Sequence, residues 1–176
     1  MRSSKRLNFI VLDKSRLIQL LYPIYKKYNC NEEYSFLENK LIIKFKSSFE
    51  QIEIIENNSK VREVLDELEK IGLFPYSIGE PIILKKGKNV RPLIPLAKYL
   101  SQICKNKLIL KSKLAEKITY GKTVRLSLGS LKIEEDSYLV YNENNDFICY
   151  SNVKIDKKGI KIIPELDIGW YLRKGG

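Results

Sequence analysis

The side chains best placed to do chemistry in this chain are cations, and four of them fall close together: Lys154, Lys157, Lys158 and Lys161. Asp156 is the only acid among them, so the four lysines leave a local charge of +3. A lysine ammonium is a point charge on a flexible stem, which suits phosphate oxygens without demanding a fixed bidentate geometry. Several ammonium groups on one turn can neutralise neighbouring phosphates and release their counterions, so these residues by themselves fit a nucleic-acid backbone or ordinary solvated turn lysines equally well. Such contacts set position and affinity, and the expected base preference is modest.

Other chemistries find little to work with. The chain contains no histidine, which removes the usual general base and the commonest metal ligand. Gly121-Lys122-Thr123 resembles the end of a phosphate-binding loop, but the glycine such a loop needs five positions earlier is Glu116. Gly121 reads instead as a tight backbone passage from helix to strand. Glu134-Glu135-Asp136 reads as a solvated acidic turn, since its neighbours offer no further ligands. Cys30, Cys104 and Cys149 lie far apart with no CxxC pair, and are expected to be unpaired buried thiols in a reducing cytosol. No catalytic activity, metal or cofactor is expected. No apolar run approaches the roughly 18 residues that cross a bilayer. The run from Leu7 to Leu12 is too short for a signal peptide, so a cytoplasmic protein with no membrane partner is expected.

The lysines need a hairpin to gather them. A turn at 156–159 would put Lys154 and Lys161 on adjacent strands and Lys157 and Lys158 at the tip. Around it, residues 108–110, 123–126, 137–141, 147–150 and 159–163 read as short strands at barrel-like spacing, with helices over 112–118 and 166–173. Upstream, helical periodicity runs over 13–29 through Leu17, Leu20, Leu21, Ile24, Tyr25 and Tyr28, and Pro23 is expected to kink or split that helix. Residues 34–37 and 41–45 read as strands. Ser47 and Glu50 make a capping-box pattern that predicts a helix start before Ile52 and Ile55. Ser59 opens a stronger helix with Val61, Val64, Leu65, Leu68 and Ile71 on one face. Strands at 76–78, 82–84 and 90–94 and an amphipathic stretch at 95–103 follow.

The fold class is therefore α+β: an N-terminal domain of helices on a small antiparallel sheet, residues 1–104, then a β-rich domain, residues 105–176. The chain carries 32 basic and 21 acidic residues, net +11. Residues 105–176 hold 14 basic and 9 acidic residues, net +5, against 18 and 12, net +6, in the longer stretch before them. A charge of this size bears on partners rather than on fold.

The closing Asp167-Ile168-Gly169-Trp170-Tyr171-Leu172-Arg173 strongly resembles the terminal D-[IV]-G-[EW]-[YF]-[LV]-R signature of the Nip-seven family of large-ribosomal-subunit biogenesis factors, shared by archaea and eukaryotes. Earlier blocks are similar to that family's in the same order and spacing, over residues 74–174. They are Tyr76-Ser77-Ile78-Gly79, then Val90-Arg91-Pro92-Leu93 with Leu96-Ala97-Lys98-Tyr99-Leu100. Glu116, Tyr120, Gly121 and Val124 form the next, and Val140-Tyr141-Asn142 with Asp146 and Ile148 the last. Cys149 and Tyr150 stand where most members carry glycines, and Trp170 replaces a common acidic residue.

The resemblance implies an α/β N-terminal domain and a C-terminal PUA domain, a small barrel that binds RNA. It implies no catalytic activity, and action on pre-ribosomal RNA in large-subunit assembly. It also implies contacts with other assembly factors or exosome subunits through the N-terminal domain. The archaeal form would be cytoplasmic, a eukaryotic one nucleolar. PUA modules commonly bind RNA near the glycine loop and the closing strand, which adds Lys122, Arg125 and Arg173 to the four hairpin lysines. The expected RNA is single-stranded or U-rich, since the barrel is too small to span two grooves of a duplex. The alternative is a PUA-containing RNA-modification enzyme or a subunit of a modification complex, which needs a catalytic site that residues 1–104 do not display.

Overall fold

The computed structural model describes residues 8–46, 49–73, 75–130, 132–170 and 173. They form two compact units. One runs to Ile24 and resumes over Glu33–Leu96; the other takes Tyr25–Glu32 and the chain from Ala97 onward.

The first unit is built on a fully antiparallel sheet in sequence order: β1 (Asn8–Leu12), β2 (Lys40–Lys46), β3 (Glu50–Glu56), β4 (Glu80–Lys86) and β5 (Asn89–Pro92). Alternation decides which side chains meet. Leu41, Ile43 and Phe45 take one face of β2 and pack with Leu65 of α2 (Ser59–Lys70), flanked by Phe9, Ile55, Val61 and Ile78. Ile42, Ile52 and Ile54 are buried on the opposite face. Asn58 caps α2, its Oδ1 accepting from the Val61 N–H at 2.9 Å. The helix buries Leu65, half-buries Val61 and Leu68, and leaves Val64 and Ile71 exposed.

Three expectations fail in this unit. Residues 50–56 form the central strand β3, not a helix. The β-branched Ile52, Ile54 and Ile55 suit a strand covered on both faces, and Glu50 pairs across strands with Lys85 and Lys44 rather than serving a cap. The Ser47 half of that pattern lies outside the described residues. Residues 35–37 are a single 3₁₀ turn, and 76–78 are irregular. Glu53, fully buried on β3, explains the second irregularity. Its Oε2 accepts the backbone N–H groups of Ile78 and Gly79 at 2.8 and 2.7 Å, giving that segment side-chain partners instead of a ladder. Gly79 must lack a side chain, because a Cβ there would stand 2.5 Å from the Ile54 carbonyl oxygen. The helix α1 (Lys14–Lys27) continues through Pro23 without a break.

In the second unit the sheet order is β6 (Lys107–Leu110), β8 (Ser137–Asn142), β9 (Phe147–Asp156), β10 (Gly159–Asp167) and β7 (Val124–Leu126). Only β6 and β8 are parallel, and α4 (Ser112–Thr119) carries the chain away from β6. Ala115 and Ile118 of α4 pack into a core of Leu108, Leu110, Val124, Val140, Ile148, Cys149, Val153, Ile160 and Ile162. Lys111 supplies no cap to α4; Glu143 Oε2 accepts from the Ser112 N–H and hydroxyl instead, at 3.1 and 3.2 Å. Cys149 and Tyr150 are both buried in β9. The Tyr150 ring lies tilted against Tyr28 and edge-on to Phe147, with centroids 5.5 and 4.9 Å apart.

The segment at Tyr25–Glu32 is held to the short helix α3 (Ala97–Ile103) and its exit by backbone bonds, Asn31 N–H to Ile103 O at 2.9 Å and Lys105 N–H to Asn29 O at 3.0 Å. Here the reading of three free thiols is corrected. Cys30 and Cys104 face each other across an isolated antiparallel bridge and form a disulfide, leaving Cys149 as the free buried thiol. Their 74-residue separation hid the pairing from sequence, which offers no distance between distant cysteines. Among the described residues, no helix is long and apolar enough to cross a membrane.

Candidate nucleic-acid interface

Strands β7, β10 and β9 lie side by side, and their register sets Arg125 opposite Lys161 and Lys161 opposite Lys154. Residues directly opposite share a face of the sheet, so three cations form one row across three strands. The same alternation turns Val124, Val153, Ile160 and Ile162 to the buried face, which fixes the row outward. The tight turn after Asp156 leaves Lys157 and Lys158 exposed at the hairpin tip. Gly159 opens β10 at φ +128°, where a Cβ would collide with the Leu126 carbonyl oxygen; its absence lets β7 lie close beside the hairpin.

Two acids share this surface, and each is already occupied. Asp156 Oδ1 accepts from the Lys158 N–H at 2.8 Å and from Arg125 Nη1 at 2.5 Å. The Arg125 guanidinium holds the Asp156 carboxyl below its usual range, and the carboxylate in turn raises Arg125. Glu135, beside β9, accepts from the Ile155 N–H at 2.5 Å. Five cations thus face two acids at this end of the sheet, while Glu165, farther along β10, is held by Lys27 and Asn152. Like charges directly opposite on paired strands are destabilising. The other sheet of this protein avoids that arrangement: Lys40 pairs with Glu56 across β2 and β3, and Lys85 meets Glu50 at 3.0 Å across β3 and β4.

Arg173 sits differently from the other expected contacts. Its guanidinium forks onto Asp167, Nη1 to Oδ1 at 2.9 Å and Nη2 to Oδ2 at 2.7 Å, and Nη1 also donates to the Thr119 carbonyl. Asp167 is buried, and its Oδ1 accepts the Gly169 N–H at 2.9 Å as well. A Cβ on Gly169 would collide with the Thr119 oxygen, and one on Gly121 (φ +73°) would stand 3.1 Å from Arg173 Nη2. Asp167, Gly169 and Arg173 therefore clamp the turn that leads α4 into β7. The charge of Arg173 is spent on placing that turn. The expected last helix over 166–173 starts later: Leu166 and Asp167 still belong to β10, Ile168 and Gly169 form a turn, and Trp170 and Arg173 are helical, while Tyr171, Leu172 and Lys174 lie outside the described residues.

Lys122 follows the clamped turn, exposed, with its backbone N–H bonded to the Lys117 carbonyl at 3.2 Å. It lies at the end of β7 away from the hairpin tip. Of the seven residues expected from sequence, five converge on one face, Lys122 stands beyond them, and Arg173, though exposed, is paired with Asp167. Tyr120, in sequence only part of a family-like block, joins these residues as a candidate contact. Its ring, 63% exposed beside Gly121, is an aromatic surface on which a base can stack. The signal was present as a tyrosine next to a turn glycine, but exposure is not readable from that alone.

The sequence pattern of the UPF0113 PUA domain matches residues 106–176. Among solved structures the chain is similar to one described as "Structure of a Conserved PUA Domain Protein from Thermoplasma acidophilum". The two share 13% sequence identity and a TM-score of 0.55, over 94% of this chain and 97% of that one, a likeness of fold. No curated protein sequence matches the chain. The C-terminal part is a PUA domain, set in a mixed α+β protein.

Proposed function

We propose that this protein binds RNA through the outer face of β7, β10 and β9, and that it does so as a non-enzymatic factor acting on pre-ribosomal RNA during large-subunit assembly. PUA domains generally bind RNA. The observation that carries the reading is the cation row Arg125–Lys161–Lys154 with Lys157 and Lys158 beyond it. A folding cost from like charges on three adjacent strands is offset when a polyanion lies along them. The placement in ribosome assembly, with partner factors or exosome subunits on the N-terminal domain and a cytoplasmic setting, rests on the resemblance of the closing signature and the ordered blocks before it.

The test is a Lys157→Glu, Lys158→Glu variant, verified as folded by circular dichroism and titrated with U-rich single-stranded RNA. Each phosphate contact contributes about 0.7 to the slope of log affinity against log salt, so losing two should lower the slope by about 1.4 and weaken binding about tenfold or more at low salt. Binding as tight as the parent's at matched salt would remove this face from the interface.

A further inference from the structure

The first unit has unneutralised cations of its own, and one hairpin gathers them. Residues 80–92 hold Lys85, Lys86, Lys88 and Arg91 against the single acid Glu80. Lys85 is engaged: with Lys44 it shares Glu50, at 3.0 and 3.5 Å, and Lys85 first among the causes holds that carboxyl below its usual range. Lys40 is engaged by Glu56. Lys86, Lys88 and Arg91 are exposed, and among the described residues none of the three has an acidic partner. The register sets Lys86 opposite Asn89 and Leu84 opposite Arg91, so Lys86 and Arg91 share a face, with Lys88 between them in the turn. Gly87 closes that turn at φ +60°. β5 is the last strand of its sheet, so the hairpin has a strand neighbour on one side only.

We propose that the β4–β5 hairpin is a second RNA-backbone contact, so that RNA binding is not confined to the PUA domain. The inference rests on the reading of the protein as an RNA binder, and it adds a surface in the other unit. Three unpaired cations on one hairpin offer chemistry close to that of the β9–β10 tip: two ammonium groups and a guanidinium for phosphate oxygens, with no base readout. Cations on an edge strand also discourage pairing with another chain. That role would leave the salt dependence of RNA binding untouched, which makes the salt slope the discriminating measurement.

The experiment compares the parent with Lys86→Gln, Lys88→Gln, Arg91→Gln and with a charge-matched control, Lys14→Gln, Lys60→Gln, Lys70→Gln. All are checked for matched thermal unfolding and titrated with a U-rich single strand of about 30 nucleotides across a salt series. The hairpin variant should lose about 2 from the slope, about 0.7 per contact, while the control keeps the parent's slope. A parent-like slope in the hairpin variant, with the parent itself binding steeply, overturns this inference and leaves the PUA reading standing. Equal losses in hairpin variant and control also overturn it, since the effect would then be diffuse charge. A parent that binds no RNA overturns both.

Discussion

Asp156 is the residue whose chemistry is most exposed to test. It does two jobs with one oxygen, accepting the Lys158 N–H that shapes the hairpin turn and drawing in the Arg125 guanidinium. Asparagine keeps a carbonyl oxygen for the turn but no charge for Arg125. Asp156→Asn should therefore preserve the hairpin and free one cation for phosphate. RNA affinity should rise several-fold at low salt, with the slope steeper by up to about 0.7. Acid titration should push the same way. The Asp156 carboxyl is held below its usual range by Arg125, so it stays charged until the pH falls through that lowered value. Below it Arg125 is released, and protonation favours the RNA-bound form. Weaker binding by Asp156→Asn, in a variant with a parent-like circular dichroism spectrum, would mean that Arg125 needs its carboxylate anchor to face RNA.

At the scale of elements, the closing signature turns out to be a clamp. Asp167, Gly169 and Arg173 are spaced so that a buried carboxylate, a close backbone approach and a forked guanidinium all meet the turn from Thr119 to Gly121. The sequence identified those residues as a family string and placed Arg173 among the RNA contacts; only the fold shows its charge already engaged. The strands of the second unit were legible because their apolar residues alternate and their turns carry Gly or Asn-Asp clusters. Residues 50–56 were not, because a strand buried on both faces loses its alternation and a Ser-x-x-Glu spacing then looks like a helix start. The row Arg125–Lys161–Lys154 was half legible: local spacing pairs Lys154 with Lys161 across a turn, but the neighbour on β7 depends on a crossover that sequence does not reveal. Gly169→Ala tests the clamp. The added methyl meets the Thr119 oxygen, so the backbone must shift, and overpacking of this kind costs about 1–3 kcal/mol. Chemical denaturation should show that loss, and amide exchange should show faster opening at residues 119–121. A variant with unchanged stability and exchange would leave the signature without this structural role.

At the scale of the whole molecule, the path of the chain gives the disulfide its weight. The chain enters the second unit at Tyr25, leaves it after Glu32 to complete the first, and returns at Ala97; Cys30 and Cys104 join the two ends of that excursion. A crosslink closing a loop of 74 residues restricts the unfolded chain, and the chain-entropy limit for that length is about 4 kcal/mol. The third cysteine behaves oppositely. Cys149 is fully buried, and burial first, then the nearby Asp167 and Glu165, push its thiol well above the ordinary range, so in the folded protein it should resist thiol reagents. Three measurements on one preparation then have definite outcomes. Unfolded without reductant, the protein should expose one reactive thiol per chain; unfolded with reductant, then freed of it, three; folded without reductant, close to none. Reduction should also lower the denaturation midpoint, by an amount that corresponds to at most the loop-closure free energy if the unfolded reference state is otherwise unchanged. Three thiols in the unreduced, unfolded chain would restore the reading of free cysteines and leave the backbone bonds of Asn31 and Lys105, with the Tyr28–Tyr150 and Lys27–Glu165 contacts, to hold the excursion closed.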